Sequence, residues 1–302
     1  EVIVPAQTHA ATAHSVEYTG AKAIFADIDF ETGNISINEI VKKITSKTKA
    51  IIPVHMAGKS CDMKSIIKIA KKYKLKIIED CAHALGTHYQ NTHVGNFGIT
   101  GVFSFYPTKQ ITTGEGGMLI TNNKKIFDKI KKLKAFGVNT PPEKRIKQSY
   151  YDINYLGFNY RMTDFQAQMG LSQLLRYKKS LNLRQKNARI YIKNLQHIKS
   201  ISFPKFSSND SYFIFQIFFK NLKVRERVSK FLKKKGIGYG IQYVTPVPFL
   251  SYYKNKYNFK KNNFVNSVEY SNRCISLPVH QKITSSQINF ICKTIINSLN
   301  EK

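Results

Sequence analysis

A chain of 302 residues with 42% hydrophobic and 22% charged side chains is long enough for one large α/β domain and a smaller one, and no apolar run approaches the roughly 20 residues of a membrane helix. Its 48 basic and 18 acidic residues leave a net charge of +30, yet only eight of the basic residues are Arg, the side chain whose planar fork suits phosphates and bases. We therefore read the charge as a solvated surface that attracts small anions, with neither nucleic acid nor membrane as a partner. In chain order, short β-branched runs alternate with amphipathic segments, the pattern of βαβ units around a mainly parallel sheet. Val2 to Pro5, Ala23 to Ala26, Ala50 to Val54 and Lys76 to Glu79 read as strands. Between them Ser36 and Glu39 make a capping-box pattern, and Asp62 caps a helix whose Ile66, Ile67, Ile69 and Ala70 form a buried stripe.

A loop rich in turn residues follows Asp80, and strands are expected at Gly101 to Phe105 and Gly117 to Thr121. A basic helix runs from about Lys124 to Phe136, and Gly137 to Asn159, with Pro141 and Pro142, reads as a long surface excursion. Helical spacing over Thr163 to Tyr177 and Ser180 to Leu195 leads to an α+β lobe. Its strands are expected at Tyr212 to Phe219 and Ile241 to Val244, and its helices near Arg225 to Lys234 and Ser285 to Leu299. We place a large domain at 1–177 and a connecting helix with a small C-terminal domain at 178–302. The cysteines at 61, 81, 274 and 292 have neither disulfide-framework nor zinc-cage spacing, so no metal is expected and a reducing cytoplasm fits best.

Two strand ends carry the chemistry. Asp80 closes an apolar strand in EDCAHALG, and Lys109 follows another in SFYPTKQITTGEGG. Ligands gather at strand ends of parallel sheets. Pyridoxal phosphate needs a Lys to form a Schiff base and, in one class of enzymes, an Asp to keep its pyridine nitrogen protonated. Taken singly, such an Asp is more often a turn residue and such a Lys a solvated side chain. The two segments together, with EVIVPAQTHAATAHSVEYTGAKAIFADID, KAIIPVHMAGKSCDM, LGFNYRMTDFQAQMGLSQL and ISLPVHQKIT in the same order, resemble the DegT/StrS family of nucleotide-sugar aminotransferases.

That resemblance implies an α/β fold of the aspartate aminotransferase type, with a mainly parallel seven-stranded sheet and a smaller C-terminal α+β domain. It implies pyridoxal 5'-phosphate as cofactor, a nucleotide-linked keto sugar, of the 4-keto-6-deoxy class, as amino acceptor, and glutamate as donor, in surface-polysaccharide biosynthesis. The protein would be a homodimer with shared active sites. Carried over by position, Lys109 holds the cofactor and shuttles the proton, Asp80 meets the pyridine nitrogen, Ser104 the phosphate, and His83 the ring hydroxyl. His9 falls where an aromatic ring stacks on the cofactor, and a helix-start histidine is its plainer reading. Asn159 would reach the phosphate of the neighbouring subunit's site, with a turn-forming Asn as the plainer reading. Arg161 and Lys59 are candidates for the anionic substrate.

Two departures stand out. Relatives carry a further N-terminal stretch ahead of the position of Glu1, so the chain is expected to be part of a longer protein. Gln242 replaces a His common in the family near the substrate. A dehydratase of the same family would have His in place of Lys109, and a sugar-nucleotide-binding paralogue without catalysis would be expected to lose the Lys109, Asp80 and Ser104 set.

Overall fold

Alternating β-branched runs and capped helices build the sheet that positions the site. The protein is described by a computed structural model over residues 1–140, 146–147 and 150–300; Pro141 and Pro142 of the expected surface excursion lie outside the described residues. Strand β1 (Val2–Pro5) leads into helix α1 (Ala10–Glu17), β2 (Ala23–Ala26) into α2 (Ile37–Lys43), and β3 (Ala50–Ile51) into α3 (Met63–Lys72) and β4 (Lys76–Asp80). The Asp62 cap forms, its carboxylate accepting from Ser65 N at 3.2 Å. Only half of the capping box is present at α2: Ser36 accepts from Glu39 N, while Glu39 pairs with Lys42 instead.

A small hairpin of β5 (His88–Tyr89) and β6 (Thr92–His93) precedes β7 (Thr100–Ser104) and β8 (Gly117–Ile120). The main sheet has the order β2-β1-β3-β4-β7-β8, parallel except for β8, which runs antiparallel to β7. Among the described residues it has six strands where the resemblance implies seven, because the outer edge of β8 meets no further strand. The expected strand at Ala50 to Val54 is shorter than its apolar run. Pro53 has no N–H to pair, so the ladder stops at Ile51 and resumes only as a bridge between Val54 and Asp80.

Helices α4 (Lys124–Leu133) and α5 (Asp164–Leu174) contain no buried residue, whereas α6 (Tyr177–Leu195) buries Tyr177, Arg184, Ala188, Tyr191 and Leu195. The second lobe comprises β9 (Ile201–Ser202), β10 (Phe215–Phe219), α7 (Leu222–Lys234), β11 (Cys274–Leu277) and α10 (Ser285–Asn300), and between α7 and β11 the chain runs through α8 (Ser251–Tyr257) and α9 (Val265–Arg273). Its three-stranded antiparallel sheet, ordered β11-β10-β9, shares a core with α6, α7 and α10 through Tyr191, Phe215, Ile217, Leu232 and Ile295. No helix among the described residues is long and apolar enough to cross a membrane.

Two expectations for this lobe need correction. The strand expected from Tyr212 begins only at Phe215, because the backbone at 211–213 is held elsewhere: Ser211 N donates to Gly58 O and Phe213 N to Ala57 O, with Tyr212 at φ +46°. No strand forms over Ile241 to Val244. After a single bridge from Gly240 to Ser276 the chain turns toward the large sheet, where Gln7 donates to Tyr243 O. The following segment packs on that sheet, with Val247, Tyr253 and Phe264 against Val4 and Phe25. Asp27 there accepts from Asn266 N and Ser267 N, each at 2.9 Å. Part of the stretch 178–302 thus covers β1 and β2.

Candidate active site

Side chains alternate faces along a strand, and β4 ends on two carboxylates that use this. Glu79 turns inward, fully buried, and accepts from His55 Nε2 at 3.1 Å and from the backbone N–H groups of Gly95, Phe97 and Gly98, each at 2.7 Å. Burial alone would raise its pKa. The hydrogen bond from His55 and the backbone donors outweigh that and hold the carboxyl below the ordinary range. Donor atoms of His55, Glu79 and Cys81 lie within 4.8 Å of one another, but Glu79 is committed to these bonds and burial pushes the Cys81 thiol up. The group acts as a lock on the 95–98 turn.

Asp80 faces the other way, at the strand end. Its Oδ1 accepts from Ala82 N at 3.0 Å and its Oδ2 from the Thr12 hydroxyl at 2.8 Å. At the end of the adjacent strand β7, the Ser104 hydroxyl accepts from Tyr106 N at 3.3 Å, and in the turn that follows Lys109 N donates to Tyr106 O at 2.9 Å. This turn presents the Lys109 amine 4.9 Å above the Phe213 ring. Burial lowers the Lys109 pKa, and the negative charge of Asp80 opposes the shift.

His83 is buried against the same ring, stacked on Phe213 with centroids 4.4 Å apart and planes at 22°. Burial first, and the Lys109 charge second, push its pKa well below 6.5. Its Nε2 lies 3.4 Å from the Tyr243 hydroxyl, and its Nδ1 is buried with no hydrogen-bond partner among the described residues. His9 fills two places. Its ring accepts from Ala11 N as the cap of α1, and it meets Tyr243 edge-on at 5.9 Å. Its pKa is lowered by burial and then by Lys109, while Asp80 raises it.

The remaining sequence candidates bond to other partners. Lys59 pairs with Asp210 at 3.1 Å, next to the point where the 57–58 and 211–213 backbones bond to each other. Asn159 bridges to Ala135 through the backbone and accepts from Arg161 Nε at 3.1 Å, both side chains being exposed, with Arg161 over the Phe136 ring at 5.3 Å. Three side chains at the site, Thr12, Phe213 and Tyr243, were not singled out in the sequence. Phe213 reads there as one more strand aromatic and Tyr243 as part of an apolar run. The i, i+4 spacing of Thr8 and Thr12 was the available signal for Thr12.

A parallel sheet ending in a carboxylate on one strand, with a desolvated amine in the turn after its neighbour, is the layout of the type I fold of pyridoxal-phosphate-dependent aminotransferases. The structure of PseC from Helicobacter pylori, an aminotransferase involved in the biosynthesis of pseudoaminic acid, superimposes with a TM-score of 0.92 at 28% identity, covering 98% of this chain and 79% of that one. The pyridoxal-phosphate form of a putative sugar aminotransferase, Spr1654 from Streptococcus pneumoniae, gives a TM-score of 0.90 at 27% identity over 98% of this chain and 80% of that one.

The chain belongs to the DegT/DnrJ/EryC1/StrS aminotransferase family, which matches residues 1–296. GDP-perosamine synthase of Escherichia coli O157:H7 is 35% identical over 302 residues, spanning 100% of this chain and 80% of that protein. The family makes this a pyridoxal-phosphate-dependent enzyme of sugar transamination.

Proposed function

We propose that the chain moves an amino group from glutamate to the keto carbon of a nucleotide-linked 4-keto-6-deoxy sugar, in the cytoplasm, for a surface polysaccharide. The observation that carries this reading is the convergence of the Lys109 amine, the Asp80 carboxylate and the buried, unpartnered His83 Nδ1 at the ends of β4 and β7. A buried polar atom without a partner is costly unless a ligand completes it, so these residues fit pyridoxal phosphate. When bound, that cofactor supplies an electron sink for negative charge developing on the substrate carbon.

The chain's own residues do the rest. Lys109 anchors the cofactor and, once free, carries a proton at its Nζ; its lowered pKa makes the neutral, basic form accessible. Asp80 holds the proton of the ring nitrogen. His83 offers Nδ1 to the ring oxygen, Ser104 binds the phosphate, and His9 with Tyr243 walls the ring. Phe213 keeps water from Lys109 and His83. Asn159, with Arg161 beside it, serves the phosphate and the anionic substrate of the partner's site in a homodimer.

The test is chemical. The protein is loaded with pyridoxal phosphate, reduced with borohydride and mapped by peptide mass spectrometry. A phosphopyridoxyl group on Lys109 is expected, and one on another lysine overturns the assignment. Incubation with glutamate and a panel of keto-sugar nucleotides then reads the acceptor by conversion of ketone to primary amine.

A further inference from the structure

The Asp80 carboxylate has a support that the reading above does not use. The Thr12 hydroxyl, on the first turn of α1, donates to Asp80 Oδ2 at 2.8 Å, and the hydroxyls of Thr8 and Thr12 are 3.0 Å apart. A hydroxyl has one hydrogen to give. Thr12 gives its own to Asp80, so Thr8 is the donor to Thr12, and the two form a directed relay from the β1–α1 turn onto the carboxylate. Both threonines are buried, at 3% and 5% exposure, so the relay is closed to water.

With Ala82 N on Oδ1 and Thr12 on Oδ2, each oxygen is held at one point and the plane of the carboxylate is fixed. One lone pair on each oxygen remains for a ligand. We infer that Thr12, backed by Thr8, is a positioning residue that sets the angle at which Asp80 meets the N–H of the cofactor's ring. The inference rests on the reading of Asp80 as partner of the ring nitrogen.

The experiment compares two ligands by equilibrium dialysis: pyridoxal phosphate, and the analogue in which a C–H group replaces the ring nitrogen. Phosphate, hydroxyl and aldehyde are shared, so the change in the ratio of the two affinities from one variant to another reads the Asp80 contact, apart from any turnover. Thr12→Val keeps the shape and removes the donor. It is expected to weaken pyridoxal phosphate by about three- to tenfold, the scale of one hydrogen bond to a charged group lost in part, and to leave the analogue within about twofold. Thr12→Ser, which restores the hydroxyl, is expected to bring the ratio back.

Unchanged affinities in Thr12→Val, or an equal loss for both ligands, overturn the inference, the second outcome marking a merely structural role. Asp80→Asn is run beside it. Collapse of the ratio there supports the parent reading, so that failure of Thr12 alone can be recognised; a ratio that survives Asp80→Asn takes down the reading of Asp80 and the inference with it.

Discussion

A lysine amine attacks only after losing its proton, and at Lys109 burial pushes in that direction while the charge of Asp80 pushes back. Removing that charge leaves burial unopposed. In the cofactor-free protein, the pH midpoint for modification of Lys109 by an amine reagent is expected below the ordinary 10.5, and lower still in Asp80→Asn. A midpoint that rises in the variant contradicts this balance. Lys109 and Asp80 were legible in the sequence because each sits in a local run with a distinctive order of small, polar and apolar residues. Phe213 and Tyr243 were not. What they do depends on a stack with His83 and an edge contact with His9, made by segments far apart in the chain, and nothing in an aromatic residue's neighbours announces such a contact.

At the scale of elements, β4 shows how one strand end divides structural from chemical work. Glu79 and Asp80 are adjacent, and alternation sends the first into the lock with His55 and the 95–98 turn. Because the folded Glu79 carboxyl lies below its ordinary 4.5, the unfolded chain takes up the proton first as pH falls. The contribution of Glu79 is then complete above pH 4.5 and disappears as pH drops through the folded value. Glu79→Gln is expected to cost about 2–4 kcal/mol in urea unfolding at pH 7, from the loss of a buried charge-assisted network. The variant should also lose less than the parent protein on acidification below 4.5, and parallel curves would show that the lock is not ionic. Caps and most sheet strands were readable from local pattern. The strand expected at Ile241 to Val244 was not formed because Gln7 and the large sheet hold Tyr243 in a turn, a tertiary contact that outweighs β-propensity.

Across the whole molecule, the stretch from α4 to α5 is where the sequence says least about what packs on the chain. Helical periodicity marks an apolar face without saying what covers it. In the single chain Leu156, Phe165 and Leu175, in the same stretch of sequence as Asn159 and Arg161, are 95%, 77% and 89% exposed. The proposed homodimer would cover side chains of this kind. If Asn159 serves the partner's site, mixing Lys109→Ala with Asn159→Ala subunits builds dimers with one site lacking both residues and one lacking neither. Activity is expected to rise above either parent, to about a quarter of the unmutated enzyme when half the dimers are mixed. Verified exchange without recovery would place Asn159 in its own chain's site. The joint between the lobes carries another consequence. Ser211 exchanges buried hydrogen bonds with Thr87, Gln110 and the His83 and Gly58 backbone, so the strand-end loops and the second lobe are riveted together next to the Lys109 turn. A clamshell motion would have to break that polar seam on every turnover. Ligand traffic through small movements at the rim would leave the seam intact.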